Sequence, residues 1–288
     1  MPGRQTPFTD LVGCEWPVQL AGMGGGAGGP ELAAAVQVAG ALGMVSWGEE
    51  VLDAGCGVNF LVPFLGGAGD AATVIADGAG GARVVEFFFG PPDTDLVAAA
   101  RRAAPVVGWQ VGSVDEAEAA TRAGCDYVVA QGVEAGGHVR GTEPLDVILL
   151  AVRAAVRVPV VAAGGIATAE RVAELLDRGA DAVRVGTRFL VCPEARAHDE
   201  YKANLLAAGP DDTALTDWFD AGWPNAPHRV LRAALDAARD SGWRSPEPPH
   251  RGTDRPVADM AQYAGTSVGA VTKIESAAEV VAHLVRLL

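Results

Sequence analysis

The sequence predicts an α/β fold, a (β/α)8 TIM barrel with a small, mostly helical C-terminal extension over the barrel mouth. Three observations carry that expectation. Eight short β-branched runs alternate with Ala-rich amphipathic stretches through the first 190 residues, and strict alternation of strand with helix selects a parallel sheet. Most of the helical stretches are preceded by loops rich in Gly, Asp or Ser and followed by glycine, which is how capped helices begin and end. Eight such units in so short a length fit a closed barrel better than an open sheet.

Residues 1–17 mix Arg4, Asp10 and Glu15 with polar residues and lack the apolar run of a signal peptide. The strands follow at 18–22, 44–47, 57–62, 83–89, 106–111, 126–131, 158–163 and 182–186. Helices are expected at 30–41, 93–103, 114–123, 144–155 and 168–178. The second crossover, between Trp47 and Gly57, is too short for a full helix. After Gly186 the rhythm changes. A helix is expected at 195–208, then a stretch with Trp218, Trp223, Trp243 and a Pro-rich loop at 245–256, then a last helix at 276–288. We therefore divide the chain into a barrel (1–190), an extension near the active site (191–275) and a C-terminal helix returning to the barrel (276–288). The Pro-rich loop either covers the mouth or is a mobile loop without a catalytic part.

The 288 residues carry 22 Lys plus Arg against 36 Asp plus Glu, a formal charge of −14. That balance repels nucleic acid and anionic membrane surfaces, so neither is an expected partner. The mean hydropathy of +0.19 is spread along the chain, and no run approaches the ~18 apolar residues of a membrane span. A cytoplasmic protein, monomeric or homodimeric, is expected. Cys14, Cys56, Cys125 and Cys192 are far apart, with neither a Cys-x-x-Cys nor a His/Cys cluster. They read as inert thiols, and no metal site is expected.

The chemistry concentrates after the sixth strand. There the chain opens into a glycine loop that ends on His138. Gly136 and Gly137 lack Cβ, so their backbone can approach a flat ligand, and the imidazole that follows can sit over it as a proton-handling group. The alternative is a histidine whose nitrogens only satisfy loop carbonyls. Two other glycine segments compete for a phosphate. Residues 24–29 match the dinucleotide fingerprint, with Glu49 about twenty residues on, but among 37 glycines such a match arises easily, and Pro30 starts the helix too soon. The second set is Ala163, Gly164 and Gly165 after the seventh strand with Gly186 and Thr187 after the eighth, the usual phosphate position in such barrels. Among the remaining candidates, Arg229 beside His228 would offer an entering anion a cation. Glu134 would accept backbone amides in its own loop. His198 would lie on a solvated helix, while His250 and His283 have no motif around them.

Four ordered motifs, AQGVEAGGH at 130–138, PVVAAGGI at 159–166, GADAVRVGTRFL at 179–190 and YAGTSV at 263–268, resemble the nitronate monooxygenase family, formerly the 2-nitropropane dioxygenases. The likeness extends to Gly22-Met23, to Asn59 on the third strand and to Phe87–Gly90. It implies an FMN-binding barrel that oxidises alkyl nitronates, with nitroalkanes as a further substrate, using O2 to give carbonyl compounds and nitrogen oxides. His138 would be catalytic. Gly22, Met23, Gly24, Asn59, Gln110, Gln131, Gly132, Gly136 and Gly137 would surround the flavin ring. Ala163, Gly164, Gly165, Gly186 and Thr187 would take its phosphate, and Gly265 and Thr266 would close the pocket. Gln110 stands where a lysine is frequent in some relatives, and Arg140 adds a cation after His138. Two alternatives stay open: an FMN-dependent enoyl-ACP reductase using NAD(P)H, which shares the glycine–histidine loop, and a non-catalytic flavin-binding barrel.

Overall fold

The computed structural model describes residues 4–66 and 70–288; the start of the expected barrel segment, residues 1–3, lies outside them. In chain order the strands are β1 (Val18–Leu20), β2 (Met44–Ser46), β3 (Gly57–Leu61), β4 (Val84–Phe88), β5 (Val106–Val111), β6 (Tyr127–Gln131), the two-residue β7 (Gly137–His138), β8 (Val160–Ala163), β9 (Ala182–Val185), β10 (Thr213–Thr216) and β11 (His228–Leu231). Eight of them form one sheet in the order β1-β9-β8-β6-β5-β4-β3-β2, every pair parallel. A parallel bridge from Gln19 to Leu42 joins the two ends of that order. The sheet is therefore a barrel, and its strands are mostly apolar because both faces are covered.

The helices begin and end where the side chains dictate. Asp93 caps Thr94–Ala103 by accepting from the amides of Asp95 and Leu96, Ser113 caps Val114–Ala123, and Thr168 caps Ala169–Asp177. Such caps stabilise a helix by about 1 kcal/mol each. Gly124 ends its helix at φ 99°, a left-handed conformation that glycine adopts without a Cβ clash. The second crossover is a helix-free turn. At the bottom of the barrel Phe8, on the N-terminal helix Pro7–Val12, meets the Tyr127 ring edge-on at 5.4 Å. The C-terminal helix Ala277–Val285 contributes Val280, Val281 and Leu284 to the same core as the barrel strands.

Two local differences have physical causes. The expected helix at 195–208 begins only at Asp199, with His198 as its cap accepting from Glu200 N at 3.2 Å. The chain before it is drawn into tertiary pairing, because Ala197 bridges His250 and Arg196 N donates to Gly28 O. His198 is thus a helix cap rather than a residue on the helix. Beside its helices Asp199–Ala207 and Arg232–Ser241, the extension also contributes β10 and β11 to a three-stranded antiparallel sheet, β10-β11-β7, whose third strand comes from the barrel segment. That sheet matters for the site, since β11 pairs His228 with His138 and Arg229 with Gly137. The extension grips the loop that carries His138.

Candidate active site

A cavity of about 550 Å³ opens at the C-terminal ends of the barrel strands, where active sites of this fold are built. Of the residues singled out from the sequence, Gly22, Met23, Gly24, Asn59, Gln110, Gln131, Gly136, Gly137, His138, Ala163, Gly164, Gly165, Gly186, Thr187 and Gly265 all line it. Gly132 and Thr266 stand behind the wall: Gly132 is packed against Leu145 and Glu134, and the Thr266 amide donates to Glu134 O at 3.0 Å. From the extension, Trp223, Tyr201, Tyr263 and the segment Ser245, Pro246, Glu247 and Pro248 complete the wall. The Pro-rich loop thus covers the mouth.

The cavity has two unlike poles. At the ends of β8 and β9 the wall is backbone. Gly164 (φ 120°) and Gly165 (φ 66°) are both left-handed, and a Cβ on Gly165 would come within 3.0 Å of Glu134 Cβ and 3.1 Å of Thr266 Oγ1. A side chain there would be both crowded and strained. Thr187 Oγ1 accepts from Gly265 N at 3.0 Å, which ties the C-terminal segment to the end of β9 and leaves the hydroxyl proton to donate. Across the barrel, β3 and β4 end on Leu61 and Phe88, which line the opposite wall with Phe64 and Trp223.

His138 lies between these poles. Its ring stacks on Trp223, with centroids 3.8 Å apart and planes at 24°, and Phe89, His228 and Tyr263 surround it at 5.8, 5.2 and 5.7 Å. Burial, with a smaller contribution from His228, pushes its pKa down to about 3, so the imidazole is neutral at ordinary pH. Nε2 is enclosed and has no hydrogen-bond partner among the described residues. A buried polar atom without a partner calls for one that enters the cavity. Gln131 positions the loop: its amide donates to His138 O at 2.9 Å and accepts from Arg140 N at 3.0 Å.

The neighbouring histidine, fully buried, is structural. His228 Nδ1 bonds Ala226 O at 2.8 Å, and Nε2 accepts from Phe219 N at 3.3 Å. Arg229 does not offer its charge to the cavity. Nε and Nη2 both donate to Val133 O, at 3.0 and 2.8 Å, so the expectation that it greets an anion is corrected. Arg140 is likewise held by Glu116 at 2.7 Å and lies over the Phe89 ring. Glu134 accepts from Leu145 N at 3.0 Å, the backbone role expected of it. His250 bonds Glu247 at 3.3 Å and His283 bonds Glu275 at 2.7 Å. Glu49 accepts from Ser46 N and takes its place beside a barrel strand, not in a dinucleotide fold. Cys56, Cys125 and Cys192 are buried, Cys14 is partly so, and burial raises all four thiols to about 12. Among the described residues no group of His, Cys, Asp and Glu is arranged to hold a metal.

Sequence reasoning missed the cavity floor. Glu86 on β4 and Arg184 on β9 form an ion pair inside the barrel. Glu86 also accepts from Tyr127 (2.7 Å), Asn59 (3.0 Å) and Gln19 (3.2 Å), and Arg184 donates to Gln110 and Gln19. Gln110 therefore turns its oxygen to a cation that arrives from another strand. The available signal was a pair of opposite charges, each set in the middle of an apolar strand run.

A family model described as nitronate monooxygenase matches residues 60–241. A (3aS,4S,5R,7aS)-5-hydroxy-7a-methyl-1-oxo-octahydro-1H-indene-4-carboxyl-CoA dehydrogenase of Mycobacterium tuberculosis is 34% identical over 255 residues, 84% of this chain and 70% of that protein. A nitronate monooxygenase of Pseudomonas aeruginosa is 40% identical over 144 residues, 46% of this chain and 40% of that protein. Among solved structures, FabK from Thermotoga maritima superposes with a TM-score of 0.83 at 28% identity, covering 98% of this chain and 96% of that one. A nitroalkane oxidase from Streptomyces ansochromogenes gives 0.75 at 29%, covering 97% and 96%.

Proposed function

The chain belongs to the nitronate monooxygenase family and is an oxidoreductase, and from that premise we propose that it oxidises alkyl nitronates with O2, using FMN, to carbonyl compounds and nitrogen oxides. The observation that carries the reading is His138: a neutral ring, stacked and fixed in plane, with an unpartnered nitrogen beside a cavity whose far wall is bare glycine backbone. FMN, when bound, supplies the electron-accepting chemistry. Gly164, Gly165, Gly186 and Thr187 suit its phosphate, since backbone amides and a hydroxyl line that pole. Gly22, Met23, Gly24, Asn59, Gln110, Gln131, Gly136 and Gly137 would surround the ring, with Gly265 closing the pocket and Thr266 behind it.

His138 orients the substrate by hydrogen-bonding a nitro oxygen. Held neutral down to about pH 3, it is a poor acceptor for a carbon-bound proton. The site therefore suits the nitronate, which arrives with that proton already gone, better than the neutral nitroalkane. Trp223 and Tyr263 exclude water from the ring, and Gln131 holds the backbone that follows it, at His138 O and Arg140 N.

A second reading has its own support. The relative named as a carboxyl-CoA dehydrogenase aligns over more of this chain than the named nitronate monooxygenase does, and FabK superposes over nearly all of it, which supports an FMN-dependent enoyl-ACP reductase using NAD(P)H as the runner-up. One experiment separates the two. The anaerobic visible spectrum of the purified protein is recorded before and after an alkyl nitronate is added, then after NADPH in a fresh sample. Loss of the oxidised flavin band with nitronate supports the leading reading. Loss with NADPH alone transfers it to the runner-up, and a protein that cannot be loaded with FMN defeats both.

A further inference from the structure

We propose that the pole of the cavity formed by Leu61, Phe64, Phe88 and Trp223 is a recognition chamber for an uncharged alkyl chain on the substrate, and that Trp223 and Phe64 set this specificity; the proposal rests on the nitronate-oxidising reading above. Three observations support it.

The first is position. In the barrel order, β3 and β4 lie diametrically across from β8 and β9. The aromatic pole is therefore as far as the barrel allows from the glycine pole, with His138 between them. A substrate whose nitro group meets His138 extends its remaining carbons toward β3 and β4, because the opposite wall belongs to the phosphate.

The second is the wall itself. Trp223 is fixed face-on by His138 at 3.8 Å and edge-on by Phe64 at 5.0 Å and Phe89 at 4.9 Å. Phe89 holds this place at φ 64°, a left-handed conformation that a phenylalanine adopts only at a cost. Phe64 remains 39% exposed at the mouth. Apolar area of this kind is available to an apolar partner.

The third is charge. The charged side chains that line the cavity are Arg184 and Glu247. Arg184 is spent on Glu86, and the two arginines nearest His138 in sequence and in the small sheet, Arg140 and Arg229, are held elsewhere. Glu247 repels an anion. A carboxylate tail would meet no free cation, whereas a hydrocarbon tail meets three aromatic rings.

The test uses the FMN-loaded protein and two series of ligands: linear alkyl nitronates of increasing length, each paired with its ω-carboxylate analogue, and unreactive linear alkanols whose binding is followed by calorimetry. The expected result is that KM for nitronates and Kd for alkanols both fall about fourfold per added methylene until the chamber is full, with kcat nearly constant, and that the carboxylate analogues are worse than their neutral partners. Trp223→Ala should flatten the length dependence. Phe64→Lys, a change at a partly exposed position, should weaken long-chain ligands and improve the carboxylate analogues. Alkanol binding that ignores length, or a preference for carboxylate analogues in the unaltered protein, overturns the proposal. If alkanols bind with the expected length dependence while no nitronate is oxidised, the chamber stands and the nitronate reading falls.

Discussion

At the scale of single residues, the burial that serves His138 in the cavity also burdens the fold in acid. Unfolded, this histidine titrates at its ordinary value near 6.5; folded, it resists protonation down to about 3. His228 shifts in the same direction, again chiefly through burial. Both therefore bind protons more readily in the unfolded chain. The neutral form of His138 supports the fold fully above pH ~6.5, and that support is lost as pH falls toward about 3; His228 adds to the loss in the same direction below its ordinary value. His138→Gln removes one of these titrations while keeping a polar side chain. We expect its urea-unfolding stability to decline less steeply than that of the unaltered protein between pH 6.5 and 4, by on the order of 1 kcal/mol or more. His138→Ala should keep FMN and lose turnover on nitronate by roughly 10²-fold, through lost orientation of the nitro group. Turnover that survives unchanged would remove His138 from the mechanism.

At the scale of elements, the neighbouring glycines of β7 and its loop do different work, and substitution should separate them. Gly137 sits at φ 75°, and a Cβ there meets nothing within 4 Å. Gly137→Ala then costs only the left-handed backbone, about 1 kcal/mol. At Gly136 no such conformation is involved, yet a Cβ would stand 2.5 Å from Gly265 N and 2.7 Å from the Ala264 carbonyl carbon. Backbone cannot give way as a flexible side chain does. Gly136→Ala should push the C-terminal segment off the cavity wall, with a larger loss of Tm and of FMN retention than Gly137→Ala shows; equal losses would contradict this division. Both glycines are legible in the sequence, as a pair before a histidine, but which one packs and which one turns is not. The sheet that holds them was not legible at all. β7 has two residues, and β10 and β11 have four each, too short for a period-2 pattern to stand out from surrounding loop. The barrel strands and the helices between them are legible because each carries its own signal: a run of β-branched residues, a cap, or a terminal glycine.

At the scale of the whole molecule, the barrel interior is tied by one polar network that no local pattern announces. Gln19, Asn59, Glu86, Gln110, Tyr127 and Arg184 come from β1, β3, β4, β5, β6 and β9, so hydrogen bonds through Glu86 and Arg184 link six strands that are distant in sequence. Each member alone reads as a polar interruption in an apolar run; only closure of the barrel shows that they answer one another. Burying two charges is costly. Their pairing offsets that cost only because every carboxylate oxygen and most guanidinium protons find partners. Removing one charge leaves the other stranded: Arg184→Met or Glu86→Leu should each destabilise the protein by about 3–5 kcal/mol. Removing both replaces the pair with apolar volume, so the double variant should be more stable than the sum of the two losses implies, with a coupling of about 1–3 kcal/mol in denaturant unfolding. Since Arg184 and Gln110 also line the cavity, the double variant distinguishes the network's two duties. If it recovers stability yet binds FMN more weakly than the unaltered protein, the buried pair is kept for the shape it gives the cavity floor. If it recovers both, the pair serves to align the strands.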